Sequence, residues 1–157
     1  MKRFAAAVLI ALIAAFPAWA AEGKPVKASP KDKCPVCGMF VFKYPDFAAQ
    51  VVFRDGATAF FDGAKDMFKY VLNLKKYAPS RTAGEITAIY VTDYYRLEPI
   101  DGTVAWYVAG SDIFGPMGKE LIPFARESDA RGFLGDHRGK SLLRFRDIDM
   151  NLIRGLD

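Results

Sequence analysis

Residues 47–72, FAAQVVFRDGATAFFDGAKDMFKYVL, carry the pattern from which the fold is read. Phe47 to Arg54 is rich in β-formers, Asp55-Gly56 is a hairpin signal, and Ala57 to Phe61 reads as the returning strand. Asp62 is placed to cap a helix. From Ala64 onward the apolar residues Ala64, Met67, Phe68, Val71 and Leu72 follow the i, i+3, i+4, i+7, i+8 stripe of an amphipathic helix. A loop with Pro79 spans residues 77–84, and Ile86 to Tyr94 (ITAIYVTDY) is a strong strand.

Downstream the order repeats. Asp101-Gly102 marks a turn and Thr103 to Gly110 a strand. Residues 111–118 read as a loop and Glu120 to Ala125 as a strand, in which Pro123 argues for an edge or a bulge. Ser128 looks like an N-cap, and Ala130, Phe133, Leu134 and His137 share a helical face. Gly139 ends that helix, and Ser141 to Phe145 is the last strand. Both halves thus run strand, strand, helix, strand. The expected fold is α+β, two tandem ββαβ-type units over 34–99 and 100–157. Either unit alone is too small to be comfortable, so the pair is expected to bury one shared core.

Upstream of the first unit lies a different kind of sequence. Residues 21–33 are polar, with Pro, Gly and Lys, and read as a flexible linker. Residues 1–20 read as a secretory signal: Lys2 and Arg3, an apolar run from Phe4 to Phe16, then Ala18-Trp19-Ala20 before the expected cleavage. The run is short for a membrane span, which needs about twenty residues. No cysteine stands at the cleavage point, so a free periplasmic protein, or one held by an uncleaved signal, is expected, not a lipoprotein.

The composition is globular, 52% hydrophobic and 25% charged. The formal charge of +4 falls to +2 without Lys2 and Arg3. No basic residues gather on one face as nucleic-acid binding requires.

Both cysteines of the chain lie in Cys34-Pro35-Val36-Cys37-Gly38-Met39. A disulfide across so small a loop would add little stability. The segment has the look of a zinc knuckle, but the chain has no second cysteine pair and one histidine, His137, so neither a four-cysteine nor a two-cysteine, two-histidine site can form in a monomer. A thiol–disulfide oxidoreductase using Cys34 and Cys37 is the alternative function. Its motif usually opens a helix, whereas Met39 to Lys43 reads as a short strand. Cu(I) fits better, because thiolate and thioether are soft ligands and few of them suffice. Cys37 and Met39 flank Gly38, which lets the backbone bend. Met117, in Gly115-Pro116-Met117-Gly118, is either a further ligand or a gap-filling side chain. His137 is either a ligand or a group placed against a helix C-terminus. Asp62, Asp66, Asp93 and Asp112 stand in turns, caps and element ends, where aspartate is ordinary.

Several blocks together resemble the NosL family: Cys37-Gly38-Met39-Phe40-Val41, Tyr44-Pro45, Phe60-Phe61-Asp62-Gly63, Lys65-Asp66-Met67-Phe68, Tyr90-Val91-Thr92-Asp93-Tyr94 and Gly115-Pro116-Met117-Gly118. The resemblance covers roughly Cys34 to Phe145. It implies an exported, non-enzymatic Cu(I) chaperone that delivers copper to apo nitrous oxide reductase, alongside an ABC transporter complex of the same pathway. It implies Cys37, Met39 and Met117 as copper ligands and leaves Cys34 as either a ligand or a neighbour of Cys37; His137 remains a candidate from its imidazole alone. The implied fold is the pair of ββαβ units shared with organomercurial lyase, and a monomer is expected.

Overall fold

In a computed structural model of the chain, residues 24–157 are described; the expected signal segment lies outside them. The described residues fold as α+β with two antiparallel sheets and four helices. The first sheet holds β1 (Ala49–Phe53), β2 (Thr58–Phe61), β3 (Ile86–Thr92) and β4 (Pro99–Asp101), in the order β2-β1-β3-β4. The second holds β5 (Trp106–Gly115), β6 (Gly118–Phe124) and β7 (Ser141–Arg144), in the order β6-β5-β7. In the first sheet β1 sits between β2 and β3, and in the second β5 sits between β6 and β7. Helix α1 (Ala64–Leu72) follows β2, and α3 (Glu127–Asp136) follows β6.

The Asp55-Gly56 hairpin forms as expected, with Gly56 at φ +83°. Pro123 stands on β6, an edge strand, where its missing N–H is tolerated. Other elements differ from the sequence reading. Met39 to Lys43 is not a strand: Phe40 makes an isolated bridge to Lys33, and Val41–Lys43 is one 3-10 turn. Residues 111–118 are not a loop. Strand β5 runs on to Gly115 through a bulge after Ala109, and Pro116-Met117 is the tip of a tight hairpin closed by Gly118 at φ +86°. The expected caps also move. Helix α3 starts one residue before Ser128, with Arg126 at its N-cap, and α1 has Gly63, not Asp62, at its N-cap. The tail forms a fourth helix, α4 (Met150–Arg154), capped by Asp149 and packed on α1; a short helix, α2 (Leu74–Tyr77), follows α1 directly.

Two cores form where one was expected. Alternate residues of β5 and β6 face opposite ways. Tyr107, Ala109 and Leu121 join Val51, Phe61, Phe68 and Val91 in the larger core, shared by both sheets. Val108, Ile122 and Phe124 pack against Ala130 and Phe133 of α3 in a smaller one. Helix α1 therefore touches both sheets and α4. That explains why Lys65, Asp66 and Tyr70, outside the expected apolar stripe, are buried while Leu72 is exposed.

Candidate metal centre

The loop 34–39 is closed by two main-chain hydrogen bonds. Gly38 N–H donates to the Cys34 carbonyl (2.8 Å), and Cys34 N–H donates to the Met39 carbonyl (2.9 Å). Gly38 sits at φ +81°, in the left-handed region where a side chain would be strained. The turn aims the N–H groups of Val36 and Cys37 at the Cys34 sulfur, and that of Met39 at the Cys37 sulfur. Donors so placed favour thiolate over thiol.

The start of α1 supplies the facing wall. Asp62 and Asp66, four residues apart, turn their carboxylates to the loop. The Cys37 thiol donates to Asp62 Oδ1 (3.2 Å), and the Cys34 thiol to Asp66 Oδ2 (3.4 Å). One ligand atom from each of these four residues lies within 4.8 Å of the other three. Asp62 is only 1% exposed, and its Oδ2 has no hydrogen-bond partner among the described residues. Lys69 Nζ lies 3.7 Å from Asp66 Oδ1 and balances part of the charge.

Both cysteines are free. Burial pushes the Cys34 thiol far above the ordinary thiol range, and the Asp62 carboxylate adds to the effect. Burial likewise pushes Cys37 up to about 11, with the two carboxylates raising it and the Met39 amide opposing them. At neutral pH the pair is therefore held as thiols, and a soft cation must displace their protons to bind.

The structure brings Cys34 and Cys37 together and places Met39 beside them in the same closed loop. Met117 lies at the β5–β6 hairpin tip, 45% exposed, with its carbonyl accepting from Lys65 Nζ at 2.9 Å. His137 is elsewhere. Its ring stacks on Phe133 (4.3 Å between centroids), its Nδ1 is 3.0 Å from Asp112 Oδ1, and it occupies the C-cap of α3. Asp93 binds the amides of Tyr95, Arg96 and Ala125, ordinary work for a buried aspartate.

Asp62 and Asp66 are the residues that sequence reasoning missed. No sequence pattern pairs them: Asp62 precedes the extended Gly63 N-cap of α1 while Asp66 lies in its first turn, so helical spacing does not put the two carboxylates on one face. They also change the zinc argument. Two cysteines and two aspartates provide four donors within one chain, a number that cysteine and histidine alone do not reach.

A family profile described as NosL matches residues 25–153. Over 98% of its length the chain is 30% identical to the "Copper-binding lipoprotein NosL" of Stutzerimonas stutzeri, covering 85% of that protein. Its fold matches the crystal structure of the copper chaperone NosL from Shewanella denitrificans with a TM-score of 0.69. That match is at 24% identity and covers 82% of this chain and 98% of that one.

Proposed function

The chain belongs to the NosL family, and from that premise we propose that it is a periplasmic Cu(I) metallochaperone delivering copper to apo nitrous oxide reductase. The relatives are named for binding and carrying copper, and the chain is a binding protein, not an enzyme. The observation that carries the copper reading is the pair of thiols held face to face in the loop 34–39, each on a carboxylate. Thiolate is the soft donor that Cu(I) prefers. Cys37 and Cys34 would hold the ion, with Met39 and Met117 as thioether donors. Asp62 and Asp66 already accept the thiol hydrogen bonds, so they are in place to receive the protons that loading displaces. Return of those protons to sulfur would favour release when a recipient's sulfur or imidazole enters. An ABC transporter complex of the same pathway fits as a second partner.

The test is titration of the reduced protein with Cu(I) against a competing Cu(I) chelator, repeated with Cys37→Ser. Loss of tight binding in the variant is expected; equal affinity would refute the proposal. Copper transfer to purified apo nitrous oxide reductase then tests the recipient.

The carboxylates favour one second reading, a divalent ion such as Zn²⁺ on Cys34, Cys37, Asp62 and Asp66. It requires Asp62→Asn to abolish Zn²⁺ binding and Zn²⁺ to exclude Cu(I). The oxidoreductase alternative is disfavoured by the Cys37 thiol, raised to about 11 where a reactive thiol needs a lowered value.

A further inference from the structure

We infer that Lys65 is a positioning residue for the copper site: it clamps the hairpin tip that carries Met117 onto the helix start that carries Asp62 and Asp66. The inference rests on the copper reading above and deepens it. The Lys65 side chain is 2% exposed, so its ammonium is buried and must find partners. It finds the carbonyls of Met117 (2.9 Å) and Leu156 (3.4 Å), and lies 3.6 Å from Asp157 Oδ1. Its own backbone N–H donates to Glu120 Oε1 at 2.6 Å. One residue thus holds the β5–β6 hairpin at two points three residues apart.

The clamp is also wired to the thiols. Asp157 pairs with Lys69 as well as Lys65; Lys69 lies 3.7 Å from Asp66, and Asp66 accepts from the Cys34 thiol at 3.4 Å. A continuous run of polar contacts therefore joins the Cys34 sulfur to the Met117 main chain. Packing alone does not call for a charge here, since an apolar side chain of similar length would fill the space without burying an ammonium. What the ammonium adds is a fixed position for carbonyl oxygens, the Met117 carbonyl at the shortest distance. The Lys65 bond fixes where the Met117 main chain, and so the root of its side chain, lies relative to α1.

The test uses the full reduced chain loaded with Cu(I), as wild type, Lys65→Leu, Met117→Ala and the double variant. X-ray absorption counts sulfur neighbours, and competition with a Cu(I) chelator gives affinity; leucine removes the ammonium without adding a sulfur donor. Lys65→Leu is expected to lose one sulfur neighbour and to weaken Cu(I) binding by about tenfold to a hundredfold, the range for residues that orient ligands. The double variant is expected to bind no more weakly than Met117→Ala alone. A Lys65→Leu protein with wild-type sulfur count and affinity overturns the inference, as does a Met117→Ala protein that matches wild type. Both outcomes leave the thiol-based copper reading standing, which fails separately if Cys37→Ser binds as tightly as wild type. If Lys65→Leu does not fold, one glycine inserted between Met117 and Gly118 frees the tip without touching the buried lysine. It is expected to lose the same neighbour, and retention overturns the inference.

Discussion

Glu120 of the second sheet caps α1, which follows β2 of the first: its Oε1 accepts the Lys65 N–H at 2.6 Å, and the Leu121 N–H at 2.9 Å. Gly63 at the N-cap of α1 has no side chain to offer, and Asp62 is turned to Cys37. The capping carboxylate therefore arrives from a strand of the other sheet. This cap frees Asp62 for the site.

That relationship makes folding stability pH-dependent. Burial raises Glu120 from its ordinary 4.5 to about 7, although the Lys65 and Leu121 amides favour the anion. The folded state thus holds the proton more tightly than the unfolded chain. The resulting stability is fully present below about pH 4.5 and is lost as the pH rises through about 7, by roughly 3 kcal/mol in all. Glu120→Gln keeps the acceptor and removes the titration. Urea unfolding across pH 4 to 8 should show the variant gaining on wild type through that window and level outside it.

Gly63→Ala should destabilise the fold for a steric reason. A Cβ at residue 63 would lie 2.1 Å from Glu120 Oε2. Its backbone, at φ −166°, is extended and unstrained. Overpacking of this kind costs about 1–3 kcal/mol. In a double-mutant cycle with Glu120→Ala, denaturant unfolding should show the Gly63→Ala penalty largely removed.

The apo thiols should be slow nucleophiles. With Cys37 at about 11, roughly one molecule in a thousand carries the thiolate at pH 8. Asp62→Asn removes a carboxylate that raises this value, so Cys37 alkylation by iodoacetamide at pH 8 should speed up. An unchanged rate would mean that Asp62 does not control the thiol.

Cu(I) affinity should rise with pH, because thiol protons leave as the ion binds. Below the thiol values, each displaced proton adds about one to the slope of log affinity against pH. A slope near two between pH 6 and 8 identifies both cysteines as ligands. A slope near one assigns Cys37 alone, or protons retained on the carboxylates; repeating the titration with Asp62→Asn separates these.

Local pattern was enough for much of the fold. The Asp55-Gly56 hairpin, the α1 stripe and the repeated strand order were legible because hairpin turns and periodicity are encoded by neighbours in the chain. The sulfur loop was legible too, since both cysteines stand within four residues. Distant encounters left no such mark. Pro116-Met117 looked like loop because its Gly and Pro residues signal a break, and only pairing with β6 extends β5 to Gly115. Asp62 and Asp66 looked like ordinary helix-start aspartates. Their role depends on a thiol 25 or 32 residues away and on a cap from Glu120, 55 residues beyond Lys65. The chain by itself determined the first hairpin, the α1 stripe and which atoms are soft donors. Tertiary packing decided which carboxylates face those donors and which buried lysine holds the β5–β6 hairpin, because burial assigns partners by space and not by spacing.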